Sequence, residues 1–177
     1  GGPYEMKITA SNRITSQNIL IGDVWVCSGQ SNMELPMRRV AWKYPDEIAH
    51  SENQYIRQFL VPQSYNFKNA QTDLKSGLWK SANPVNILDF SAVAYFFATE
   101  LYRTCKIPIG LINASLGGSP AEAWMSAEAL KEFPHHESEA MRFRDDALIA
   151  QIEKSDRERI DAWYKLLRQK DAGYKNP

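Results

Sequence analysis

Histidine is scarce in this chain of 177 residues, with His50, His135 and His136 the only three, so an imidazole base has few places to come from. Cysteine is scarcer still. Cys27 falls on a predicted core strand and Cys105 near a predicted helix end, and they read as two buried free thiols rather than a disulfide, which leaves the redox compartment open. Net charge is missing too: Lys+Arg and Asp+Glu number 21 each, so no global field draws the chain to nucleic acid, an anionic membrane or a polyanion. The expected partner is neutral or read by local groups, with no nucleic acid and no membrane. No apolar run reaches bilayer-spanning length, and Gly1-Gly2-Pro3 lacks the basic-then-apolar layout of a signal peptide. A start without Met reads as a processed form or an excised piece, so localisation stays open. The pair His135-His136 has no Cys, Asp or further His at ligand spacing beside it, and no metal is expected.

What is present is enough for one ordinary core, at 44% hydrophobic and 11% aromatic residues. Tyr4 to Thr15 alternates through Tyr4, Met6, Ile8 and Ile14 around Ser11-Asn12, which predicts a β-hairpin with no helix of its own. The run Ile19 to Cys27 predicts a covered central strand that exits sharply at Ser28-Gly29. Pro45 to His50 predicts a short helix and Tyr55 to Val61, stopped by Pro62, another strand. Residues 63–88 are polar and Asn-rich and read as a long surface loop pinned by Trp79. Phe90, Ala94, Phe97, Ala98 and Leu101 have helical spacing, capped by Asp89 or Ser91, and Ile107 to Asn113 follows as a third strand. Strand, crossover helix and strand imply a parallel α/β sheet. Beyond it lie a short helix, Ser126 to Phe133, and a long charged one, about Ser138 to Lys170, whose apolar stripe is too interrupted for a coiled coil. The glycosylation sequon Asn113-Ala114-Ser115 lies at a predicted strand end rather than a loop tip and is discounted.

Gly29-Gln30-Ser31-Asn32-Met33 ends the first of these strands. A side chain just past such a strand end is where open α/β sheets place ligands. A serine hydroxyl needs a base to take its proton and donors to receive the oxyanion. The turn at Ser31 and the Gly117-Gly118 turn after the third strand could each offer unhindered N–H groups at one sheet edge. By itself the tetrapeptide fits a structural turn as well as a catalytic one.

Gly22-Asp23-Val24-Trp25-Val26-Cys27-Ser28-Gly29-Gln30-Ser31-Asn32-Met33 strongly resembles the first block of the sialate O-acetylesterase family, a branch of the SGNH hydrolases. Ile109-Gly110-Leu111-Ile112-Asn113, with Gly117-Gly118-Ser119-Pro120-Ala121-Glu122-Ala123-Trp124, is similar to its glycine block. The resemblance covers about residues 1–130. It implies a three-layer, flavodoxin-like SGNH α/β fold with a parallel sheet, incomplete in this chain. Residues 1–18 would be tail strands of a preceding β-domain, 19–134 the N-terminal part of the hydrolase domain, and 135–177 a truncated helical insertion. It further implies Ser31 as nucleophile, with its own N–H and that of Gly118, or else Gly117, as oxyanion donors. Gln30 and Asn32 would brace the turn or touch substrate, and Glu122 and Trp124 would order the loop or touch substrate. The implied activity is removal of O-acetyl groups from a sugar such as sialic acid, through an acyl-enzyme, without metal or cofactor.

The family continues into a Trp-Tyr-Gln-Gly-Glu-Ser-Asn-like block and an Asp-x-x-His block that supplies the base, and neither occurs in these residues. Glu132-Phe133-Pro134-His135 has acid-to-His spacing but precedes the insertion. The expectation is an esterase whose base comes from elsewhere, by continuation or a complementing C-terminal half, and exposed apolar surface makes a homo-oligomer a further expected partner. The alternative is a catalytically silent carbohydrate-binding module, with Trp25, Trp42, Trp79 and Trp124 as stacking faces. The family is often secreted, periplasmic or lysosomal.

Overall fold

The computed structural model describes residues 1–175. They form two compact units, one of residues 1–64 and 71–120 and a second of residues 65–70 together with the chain from 121 onward. In the first, β1 (Tyr4–Thr9) and β2 (Arg13–Ile19) pair as the predicted antiparallel hairpin, a sheet of its own. The main sheet contains β3 (Asp23–Gly29), β4 (Asn53–Leu60), β5 (Trp79–Ala82) and β6 (Ile109–Ser115), in the order β3-β6-β4-β5. Short helices α1 (Ser31–Glu34) and α2 (Pro45–Ala49) follow β3, and α3 (Ala92–Cys105) joins β5 to β6. This is the expected α/β arrangement, a partial flavodoxin-like layer. The sheet is mixed, however: β6 runs parallel to β3 and β4, while β5 is antiparallel to β4.

The core lies between the sheet and α3. Ile56, Ile109, Leu111 and Cys27 face Ala94, Tyr95 and Ala98, with Met37, Ile87 and Phe90 closing the sides. Small residues along one helical stripe let α3 lie close on the strands. Ser91 caps it, its Oγ accepting the Ala94 N–H at 3.3 Å, and Lys106 ends it in the left-handed region at φ 55°. Buried Gln58 accepts the Ser91 N–H at 2.9 Å, which ties β4 to that cap.

Several expectations are corrected. The run at β3 is not a covered central strand: its only partner among the described residues is β6, and Val24 and Val26 are 60% and 68% exposed. An apolar run looks alike at the centre or edge of a sheet, and non-local pairing assigns the position. Within the supposed loop 63–88, Trp79–Ala82 forms β5, because Lys80 and Ser81 find partners on β4; Trp79 does anchor the segment, packing on Phe59 at 5.7 Å. Cys27 is buried but Cys105, at the end of α3, is exposed.

In the second unit, Ser126 to Phe133 gives only a 3₁₀ turn, Ala129–Glu132, and the long helix is two, α4 (Pro134–Arg142) and α5 (Asp146–Lys170). Asp145 accepts the N–H groups of Ala147 and Leu148 and restarts the helix. None of the residues of α5 is fully buried, although Leu148, Ile152 and Leu167 are partly covered. Phe67 packs on Phe143 at 5.5 Å, and Lys68 pairs with Asp146, which brings residues 65–70 into this unit. A final short helix, α6 (Ala172–Lys175), follows. No helix among the described residues is long and apolar enough to cross a membrane.

Candidate active site

Parallel pairing of β3 with β6 in the register Gly29↔Ser115 ends both strands at the same sheet edge. The Leu116 N–H donates to the Gly29 carbonyl at 3.0 Å, extending the ladder by one rung into the two turns. Gly29 sits at φ 145°, where an L side chain is strained, and the chain reverses there into α1. Ser31 is the first residue of that helix, and its Oγ donates to Gln30 Oε1 at 3.1 Å. Opposite it, a Cβ added to Gly117 would stand 3.7 Å from Ser31 Cα, so the glycine turn lies directly against the serine turn.

The two glycines differ. The Gly117 N–H donates to Glu34 Oε2 at 2.6 Å, whereas Gly118, at φ 78°, has nothing within 4 Å of where its Cβ would be. Among the described residues neither the Gly118 N–H nor the Ser31 N–H has a protein acceptor. Two unspent donors at the ends of adjacent parallel strands can receive developing negative charge, the usual requirement for acyl transfer.

Ser31 lines a cleft of about 1240 Å³. Glu34, Gln58, Gln63, Asn113 and Asp89 supply its acceptors and amides, and Leu60, Val61, Leu78 and Phe90 its apolar wall. Arg38, Arg39 and Lys80 are its cations. Arg38 pairs with Asp89, and Lys80 stands 3.9 Å from the same carboxylate, while no ion pair is formed by Arg39 among the described residues. Asn113 is buried and its Oδ1 accepts from Ser115 Oγ at 2.6 Å, an enclosed position for the sequon asparagine.

Of the expected site residues, Ser31, Gly117 and Gly118 meet at one edge, with Gln30 and Asn32 exposed on either side of the serine and outside the cleft lining. Glu122 and Trp124 lie in the second unit, in the 3₁₀ turn Ala121–Trp124, where His136 Nδ1 is 3.7 Å from Glu122 Oε1, beyond hydrogen-bonding reach. His135 and His136 open α4 in that same unit. His50, the histidine of the first unit, bonds the Asp46 carbonyl through Nδ1 at 2.8 Å and does not line the cleft. Sequence reasoning passed over Glu34, Arg38, Arg39, Gln58 and Gln63. For Glu34 a signal existed, since it follows Ser31 by three residues and returns to the same helical face.

A family model described as carbohydrate esterase, sialic acid-specific acetylesterase, matches residues 21–162. The chain is 32% identical over 142 residues to a sialate O-acetylesterase of Rattus norvegicus, covering 74% of this chain and 26% of that protein. It is likewise 32% identical over 145 residues to the sialate O-acetylesterase of Homo sapiens, covering 74% and 27%. Among solved structures, a carbohydrate acetylesterase from Xanthomonas citri aligns with a TM-score of 0.69 at 41% identity, over 74% of this chain and 30% of that one. The chain therefore spans about a quarter of the length of the curated relatives it matches.

Proposed function

Because this chain belongs to the sialic acid-specific acetylesterase family of carbohydrate esterases, we propose that it carries the nucleophile and oxyanion half of a sugar O-acetylesterase site. The observation that carries the reading is the pair of unspent N–H groups, Ser31 and Gly118, at adjoining strand ends beside the Ser31 hydroxyl. In the reaction, Ser31 Oγ attacks the acetyl carbonyl carbon as its proton leaves to a base, and the carbonyl oxygen becomes an oxyanion held by the two amides. Collapse breaks the bond to the sugar oxygen, which takes the proton back from the base and leaves as the free hydroxyl, with acetyl-Ser31 remaining. Water then repeats the attack and releases acetate. Gly118 rather than Gly117 is the second donor in this scheme, since the Gly117 N–H is already given to Glu34.

The substrate we propose is an O-acetylated sugar of the sialate type, entering the cleft beside Ser31. Gln30 and Asn32 flank the serine on its exposed side, and Glu122 and Trp124 are proposed to order the loop that follows the glycines. The base and its orienting acid are proposed to come from polypeptide outside these residues. On the same reading, residues 1–18 are the tail of a β-domain, 19–134 part of the hydrolase domain and 135–177 a helical insertion.

One observation favours a second reading: within the first unit Ser31 Oγ bonds only Gln30, and that unit's one histidine lies away from the cleft. The isolated chain would then be a silent carbohydrate-binding module. Turnover of p-nitrophenyl acetate and of O-acetylated sialic acid, with imidazole supplied as the external base, separates the two. An esterase loses at least about 10³-fold of its rate in Ser31→Ala, and a variant that keeps its full rate refutes the assignment of Ser31. A silent module turns over neither ester and still binds the acetylated sugar.

A further inference from the structure

Glu34 closes α1 three residues after the serine and is only half-buried, yet both of its carboxylate oxygens are engaged. Oε2 accepts the Gly117 N–H at 2.6 Å across 83 residues of sequence, and Oε1 accepts from Gln63 Nε2 at 3.2 Å. A Cβ on Gly117 would overlap Oε2, so a side chain there would push the carboxylate out of its present position. One carboxylate thus ties together the serine helix, the glycine turn and the segment after β4.

We infer that Glu34 is a positioning residue that locks the glycine turn against the nucleophile, withdrawing the Gly117 N–H and thereby presenting the Gly118 N–H to the oxyanion. This rests on the reading of Ser31 as nucleophile. A hydrogen bond to a carboxylate is roughly twice as strong as a neutral one, which suits it to hold the turn against α1, while the Ser119 N–H and Oγ, both donating to the Leu116 carbonyl at 3.3 and 2.6 Å, close the turn on itself. Gly118 is open on its Cβ side and, among the described residues, no protein acceptor fixes its N–H, so its direction is set by its neighbours. A donor displaced by about 1 Å costs on the order of 10²-fold in rate. Glu34 acts through Gly117 and needs no contact with substrate to matter.

Amide hydrogen exchange of the whole chain, read by NMR, tests the tie directly, and fluorophosphonate labelling of Ser31 tests its consequence. In the wild type the Gly117 amide is protected and the Gly118 amide is not. In Glu34→Ala the Gly117 amide exchanges about ten- to hundredfold faster, the factor that loss of a charged hydrogen bond allows, and labelling slows by a comparable factor. Glu34→Gln keeps an acceptor oxygen, so it restores labelling to near the wild-type rate while the Gly117 amide proton moves upfield. Should Glu34→Ala fail to fold, that upfield shift in Glu34→Gln carries the test. Unchanged Gly117 exchange and shift in the Glu34 variants overturn the tie, and a lost tie with undiminished labelling overturns its role. Ser31→Ala must abolish labelling and leave Gly117 protected. With imidazole supplied as the external base, a wild-type chain that is never labelled, or a Ser31→Ala chain that still is, sinks the nucleophile reading instead, with the tie still decided by exchange.

Discussion

Gly22→Ala is expected to be among the most damaging small substitutions in the chain, although it adds a single methyl group and removes none. Gly22 precedes β3, where the Asp23 N–H donates to the Pro108 carbonyl at 3.0 Å and begins the β3–β6 ladder. A Cβ on Gly22 would overlap the Pro108 carbonyl oxygen and stand 2.8 Å from its carbon and 2.9 Å from Pro108 Cβ. Carbon atoms rest about 3.5–4.0 Å apart, so the strand start must retreat by roughly 1 Å. The obstacle is backbone, not the free end of a side chain, and cannot swing aside. Overpacking of this kind costs about 1–3 kcal/mol and the lost rung about 1 kcal/mol more, set against a gain of about 0.4–1 kcal/mol from a stiffer unfolded chain. The balance is a loss of about 1–3.5 kcal/mol, centred on roughly 2, or a fall in Tm of roughly 6 °C at that centre for a chain of this size. Urea unfolding followed by circular dichroism measures it. Gly118→Ala is the control: it enters open space and bears only the strain of φ 78°, about 1–2 kcal/mol, less the same gain of about 0.4–1 kcal/mol from the stiffer unfolded chain. A Gly22→Ala loss below about 0.5 kcal/mol, at the level of an ordinary surface substitution, or one smaller than that of Gly118→Ala, would refute the steric argument.

Two further expectations concern titration and reactivity. Burial pushes the Tyr95 phenol up to about 12, the Thr99 hydrogen bond opposes the rise and the Glu47 carboxylate adds to it, with the hydroxyl donating to Glu47 Oε1 at 2.9 Å. Since the folded value lies above the ordinary 10, the folded state holds the proton longer. Its contribution is complete below pH 10 and is lost as the pH rises toward 12, so Tyr95→Phe should flatten that limb of the stability profile and cost about 1 kcal/mol at neutral pH. Burial also raises the Cys27 thiol, while Cys105 is exposed. Iodoacetamide should therefore modify Cys105 quickly and Cys27 only on unfolding, as peptide mapping would show; equal rates would contradict the packing of β3 on α3.

How much of this was legible before folding depended on sequence separation. Ser91 as the cap of α3, the Ala94–Ala98–Leu101 stripe, the hairpin around Ser11-Asn12 and the turn at Gly29 are written in residues a few positions apart, and each is found where its spacing implied. The break between α4 and α5 at Asp145 was just as local, but the continuous charged pattern masked its capping aspartate. The 3₁₀ turn Ala129–Glu132 shows the reverse, a helical pattern too short to sustain α-helical bonding.

By itself, then, the sequence determined the α/β character, the strands that lead to Ser31 and to Gly117-Gly118, and membership of the acetylesterase family. Only the tertiary structure put β3 at an edge, made a strand of Trp79–Ala82 and gave the Gly117 N–H to Glu34. The physical reason is the same in each case. Periodicity and turn chemistry record what a residue meets within about one turn or one strand, whereas pairing order and side-chain-to-backbone bonds across 83 residues depend on which distant segments compete for the same groups.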